Sequence, residues 1–194
     1  LISISLILAL GPQNVFVLRQ GLLRTHVFAA CLVCSISDAL LIAAGVLGVG
    51  LFISEIEELA IWMSVGAALF LIAYGILRIK SAFNPKGMEV DEGESKELWP
   101  TILAGLAFTY LNPHVYVDTL LLIGGASSSY VGDEKLMFGV GAATASFVFF
   151  FSLGYGAKRL SPILNNSESW KIIDLFIAGI MFTVAGILLF PYLF

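Results

Sequence analysis

Charge is what this sequence has least of. Only 12% of its 194 residues are Asp, Glu, Lys or Arg, where an ordinary soluble domain has about 25%. A water-facing surface of normal composition is therefore excluded. Histidine and cysteine are scarcer still, at two each, too few for a disulfide framework or a four-cysteine zinc site. The ten basic residues are outnumbered by fourteen acidic ones, for a net charge of −4 and a pI of about 5.1. Nucleic acid is excluded as a partner, because a phosphate-binding face needs concentrated Lys and Arg. What the chain has instead is apolar sequence: 59% of residues and a mean hydropathy of +0.96, gathered in runs of about 20, the length that crosses hydrocarbon as a helix. The fold class is all-α, a polytopic protein of the lipid bilayer.

Six spans are expected, near 1–18, 27–53, 59–79, 101–125, 136–157 and 172–194, leaving no room for a soluble domain. The whole chain, 1–194, reads as one transmembrane unit. No basic leader precedes the first run and Gly11-Pro12-Gln13-Asn14 interrupts it, so it is expected as a span, not a cleaved signal. The connections are short except 81–99, where Glu89, Asp91, Glu92, Glu94 and Glu97 face Lys86 and Lys96, the composition of a solvated linker.

Orientation follows from the basic residues. Nine of the ten fall in or beside the first, third and fifth connections: Arg19, Arg24, Arg78, Lys80, Lys86, Lys96, Lys158, Arg159 and Lys171. Only Lys135 lies on the opposite side. Basic loops stay cytoplasmic, so these three connections are expected inside and both termini outside a bacterial inner membrane. If 1–18 dips in and returns, five helices cross and the N-terminus is inside.

The two halves look related. Gly11-Pro12-Gln13-Asn14-Val15-Phe16-Val17 opens the first, and Asn112-Pro113-His114-Val115-Tyr116-Val117 recurs in the fourth span. Repeat 1 would cover about 1–79, the acidic linker 80–100, and repeat 2 about 101–194. Three helices per copy force the second copy to be inverted, and interrupted helices at matching positions then mark the binding site. Proline removes a backbone hydrogen bond and clashes with the carbonyl four residues back. Pro12 and Pro113 are thus expected to break the first helix of each half, with Gln13, Asn14, Asn112 and His114 beside the breaks. A simple kink capped by amide side chains is the plainer reading of the same residues.

Asp38 and Asp118 are the two carboxylates assigned to span interiors. A charge at a helix centre costs about 2.5–3.5 kcal/mol or more, so such acids are functional candidates by default. Asp38 shares a stripe with Cys31, Cys34, Ser35, Gly45 and Gly48, small or polar residues that face other helices; a fixed bond to a Ser or Tyr, or a salt bridge, is its structural alternative. His114 and Asp118 are four apart and share a helix face, a spacing that suits a proton relay, an ammonium site or a metal site, or a neutral histidine capping the Pro113 break. Cys31-Leu32-Val33-Cys34 has the CxxC spacing of redox and metal proteins, but no second pair supports it, and small buried cysteines pack like other apolar residues. Glycines within the spans, Gly66, Gly75, Gly139, Gly141, Gly154, Gly179 and Gly186 among them, let helices approach closely and allow a homodimer.

Gly11-Pro12-Gln13-Asn14-Val15-Phe16-Val17-Leu18-Arg19-Gln20-Gly21, Ser37-Asp38-Ala39 with Gly45, and Leu111 through Thr119 together resemble the LysE/ArgO-type exporters of lysine and arginine, in order along the chain. Related exporters of neutral amino acids tend to carry Asn-Pro-Lys where this chain has Asn112-Pro113-His114. The resemblance implies efflux of a basic amino acid by a transporter, not an enzyme, with no cofactor. Its substrate carries an ammonium, a side-chain cation and a carboxylate; Asp38 and Asp118 suit the cations and the broken helix ends suit the carboxylate. Expelling a cation against a negative interior costs about 2.3 kcal/mol per charge per 100 mV, which an inward proton would offset, so proton antiport by alternating access is expected. A divalent metal exporter using His114, Asp118, Asp38 and Cys34, and a thiol-redox conduit using Cys31 and Cys34, are the rival readings.

Overall fold

A computed structural model describes residues 11–48, 57–83, 97–161 and 167–193. The beginning of the first expected span and most of the acidic linker lie outside these, as do the side chains of Pro113 and His114. Among the described residues every regular element is helical. In chain order they are α1 (Pro12–Leu23), α2 (Val27–Val46), α3 (Glu57–Phe83), α4 (Leu98–Tyr110), α5 (Pro113–Tyr116), a π-helical stretch π1 (Val117–Ile123), α6 (Gly124–Ser127), α7 (Asp133–Leu160) and α8 (Ser167–Leu193). Among the described residues four segments are long and apolar enough to cross a bilayer, Val27–Val46, Ser64–Phe83, Asp133–Leu160 and Glu168–Pro191, and Leu98–Tyr110 and Val117–Ser127 are shorter apolar helices. The protein is an all-α polytopic membrane protein.

Proline acts at both expected breaks, but as a starter of helices. Pro12 occupies the first turn of α1 behind an extended Gly11, where its missing N–H is no loss. In the fourth span α4 ends at Tyr110, and a new helix begins at Pro113. The freed backbone groups are taken up locally: Tyr116 Oη donates to the Tyr110 carbonyl at 2.9 Å, and the Val115 amide donates to the Asn112 carbonyl at 3.1 Å. Satisfaction of this kind is what lets an interrupted helix persist where water is scarce.

The π-helical turns of π1 were not foreseen. Thr119 Oγ1 donates back to the Val115 carbonyl at 2.6 Å, and Asp118 lies in the first turn of the widened segment. Such insertions recur at functional sites.

The helices pack in a pattern that repeats when the halves are exchanged. α3 lies along α8 and α2 along α7; α1 packs on α7, and π1 and α6 pack on α2. Two glycine crossings make the exchange concrete. A Cβ on Gly21 of α1 would strike the Gly154 carbonyl of α7, and a Cβ on Gly124 would sit 2.7 Å from the Gly45 carbonyl of α2. Absence of side chains is what permits both approaches.

The core binds these crossings together. Phe108 of α4 meets Phe16 of α1 at 5.2 Å between ring centroids, Phe70 of α3 at 4.9 Å and Tyr74 at 4.8 Å, the last two edge-on, as aromatic quadrupoles prefer. By contrast α7 turns Leu136, Met137, Val140, Val148 and Leu160 outward, an apolar surface suited to lipid.

Candidate functional site

Asp38 is the twelfth residue of α2, about 17 Å along the helix at 1.5 Å per residue and therefore near the middle of a hydrocarbon layer of about 30 Å. Two helices reach it. Gln13 Nε2 of α1 donates to Oδ1 at 3.4 Å, and Ser146 Oγ of α7 donates to Oδ2 at 2.9 Å. Gln13 is there because it follows Pro12 on the first turn of α1, whose side packs against α2. No Lys or Arg pairs with Asp38 among the described residues. A carboxylate at this depth thus has neutral donors and, among the described residues, no cation of its own.

The other expected residues gather around it to different degrees. Asp118 is within electrostatic range of Asp38, since π1 lies on α2 where Gly45 meets the Thr119 and Leu120 backbone. Asn112 is buried and shares a narrow crevice with Pro12, together with Phe70, Leu71, Phe108 and Leu111, too tight for water. The two proline breaks therefore meet at one place. Asn14 is half-buried. His114 belongs to the backbone of α5; its side chain lies outside the described residues.

An open cavity lies elsewhere. About 730 Å³ opens between Arg24, Ser152, Tyr155, Gly156, Lys158 and Arg159, at the basic ends of α1 and α7. Neither Asp38 nor its partners Gln13 and Ser146 line it, and it is not the site the buried polar groups describe.

Cys31 and Cys34 are both buried and unbridged. Cys31 Sγ donates to the Phe150 carbonyl at 3.2 Å and fills the space left by Gly154, which is a packing role. No group of three or more His, Cys, Asp and Glu side chains is gathered for a metal among the described residues.

Two sets of polar residues were missed in the sequence. Ser146 gave no signal, being one serine among small residues. Asp174 did: it is the third residue of the sixth expected span, a third intramembrane acid that the assignment of only Asp38 and Asp118 overlooked. It is fully buried, with Arg19 Nε at 3.0 Å and Arg78 Nη1 at 3.8 Å from the same Oδ1.

The chain matches the family described as LysE type translocator over residues 4–191. It belongs to that family. Among relatives, "Putative amino-acid transporter Rv0488" of Mycobacterium tuberculosis is 40% identical over 181 residues, covering 93% of this chain and 90% of the relative. "Arginine exporter protein ArgO" of Pectobacterium carotovorum is 36% identical over 187 residues, covering 95% and 91%. No solved structure matches the chain significantly. This LysE-type protein is a membrane translocator and not an enzyme.

Proposed function

We infer that this LysE-type translocator exports basic L-amino acids, arginine or lysine, from the cytoplasm across the bacterial inner membrane. The observation that carries the reading is Asp38, held near mid-depth by one amide and one hydroxyl, without a cation among the described residues, and within electrostatic range of Asp118. An ammonium or guanidinium is what Asp38 lacks among the described residues, and isolated anions in hydrocarbon are costly enough to select for a cation. The arginine exporter among the relatives agrees in substrate class. Gln13, Asn14, Asn112 and His114, beside the two breaks, would orient the amino acid's zwitterionic end, with the first-turn amides of α1 facing its carboxylate.

Export by proton antiport follows from the same carboxylates. An acid that releases an ammonium outside can take a proton there and carry it inward, which cancels the electrical cost of moving a cation out. Alternating access is supported by the helix pairings and glycine crossings that recur when the halves are exchanged, the arrangement expected of two inverted three-helix repeats rocking about a central site. The tight crevice between the breaks corresponds to a closed form.

The deciding experiment is uptake of labelled arginine, lysine, threonine and a divalent metal into inverted vesicles, side by side. Uptake of arginine or lysine alone supports the reading; threonine or metal uptake in their place overturns it. In proteoliposomes an arginine gradient should drive proton movement in the opposite direction, and arginine transport without proton flux removes antiport.

A further inference from the structure

The Arg19–Asp174–Arg78 cluster is built from three helices and from both halves. Arg19 is six residues beyond Gln13 on α1, about 9 Å along the axis, toward the end of the bundle where Arg24, Lys158 and Arg159 lie. It thus stands between the mid-depth site and the basic side. Asp174 comes from the first turns of α8 and Arg78 from the last turns of α3.

The cluster is incomplete in a specific way. Both guanidiniums address one carboxylate oxygen, while Asp174 Oδ2 and Arg78 Nε are buried with no hydrogen-bond partner among the described residues. Two cations share one anion, so the cluster is one carboxylate short of neutrality. Arg78 is held at 3.8 Å, beyond hydrogen-bond reach, whereas a fixed staple between guanidinium and carboxylate would be bidentate. Its guanidinium carbon also lies over the face of Tyr74, 4.8 Å from the ring centroid. Tyr74 in turn packs edge-on to Phe108, which lines the crevice between the helix breaks. Contact is therefore continuous from the cluster to the central site.

We propose that Arg19, Arg78 and Asp174 form an ion-pair gate on the basic side of the central site, opened when the carboxylate of an entering amino acid takes its place on Arg78. The entering anion supplies the missing charge and satisfies the vacant Nε–H. Arg78 then leaves Asp174 to Arg19, and the tie that holds α3 to the α1–α8 pair at this end is released. No bond is made or broken covalently; one carboxylate replaces another on a guanidinium. The proposal rests on the amino-acid export reading for the identity of the ligand.

A native reporter makes it testable. Cys34 is fully buried, one turn nearer the basic end than Asp38 and beside Gln13. In a Cys31→Ala background, a membrane-impermeant maleimide applied to inverted vesicles reads access to the site. L-Arginine should speed Cys34 labelling about tenfold, the shift expected of an equilibrium that exchanges one charged contact, and argininamide, which lacks the carboxylate, should not. Asp174→Asn should speed labelling with no ligand present. Arg78→Gln, which spares the Arg19–Asp174 pair, should abolish the response to L-arginine and raise the KM for export about tenfold, so the proposal stays testable if Asp174→Asn is not inserted. Equal response to argininamide, an unchanged response in Arg78→Gln, or unaltered labelling in an inserted Asp174→Asn protein overturns the gate. If Asp174→Asn exposes Cys34 but no basic amino acid is exported, the substrate reading falls and the gate stands; if arginine is exported and labelling never changes, the reverse holds.

Discussion

Asp38 and Asp174 are the same side chain in the same kind of helix, yet their surroundings are opposite. Asp38 is met by an amide at 3.4 Å and a hydroxyl at 2.9 Å. Asp174 is met by two guanidiniums. Both carry the cost of an acid in hydrocarbon, but of the two, Asp174 alone has that cost offset by Lys or Arg among the described residues. The difference teaches what each is for. An acid given neutral donors keeps its affinity for a cation that comes and goes, while an acid given more cation than it needs attracts a further anion and holds helices together until one arrives.

The comparison is broken most decisively at Asp38. Asp38→Asn should reduce arginine or lysine efflux at matched expression by about a hundredfold or more, the loss of one partner of a desolvated charge pair, with the protein still in the membrane. Normal efflux from that variant would remove Asp38 from the mechanism; Asp118→Asn, tested the same way, should behave alike. Asp174 should answer to a different measurement. Asp174→Ala leaves two guanidiniums without their anion and should destabilise the detergent-solubilised protein by about 3–5 kcal/mol, read as a lowered unfolding midpoint, where Asp38→Asn should leave the midpoint nearly unchanged.

The two glycine crossings sharpen the contrast. Gly21 lies on the arm that carries Arg19, and Gly124 follows the segment that carries Asp118. Gly21→Ala and Gly124→Ala force a Cβ onto backbone of the facing helix and should each cost about 1–3 kcal/mol. Gly179→Ala, with nothing within 4 Å of its Cβ, should be neutral or slightly stabilising. Equal effects at all three positions would remove the crossings from the architecture. Among the changes expected to impair the protein, the smallest effect falls at Ser146→Ala, which deletes one hydrogen bond to Asp38 worth about 0.5–1.5 kcal/mol and should slow efflux by up to about tenfold without altering insertion.

Some of this could be read before any coordinates. Runs of apolar residues set the helices, because each backbone group in a bilayer must be satisfied within its own segment. Pro12 and Asn112-Pro113 marked the breaks for an equally local reason: a proline has no N–H to give. Asp38 stood out because its neighbours at helical spacing were small. Asp174 also stood in an apolar run and could have been found, but it lies near the span's end, where acids excite less attention. Ser146 and the π-helical turns around Asp118 left no comparable mark, since a hydroxyl or one widened turn costs a helix little.

The sequence alone determined that this is a membrane protein of apolar helices, where they are interrupted, and which acids are placed in the bilayer, because hydrogen-bond obligations in lipid are met within a helix and can be counted along the chain. Only the tertiary structure decided that Asp174 meets guanidiniums while Asp38 meets an amide and a hydroxyl. Arg19 and Asp174 are 155 residues apart, and nothing local to either names the other; their meeting depends on α1, α3 and α8 converging. That convergence is a property of packing among helices, which side-chain shape and glycine placement settle together.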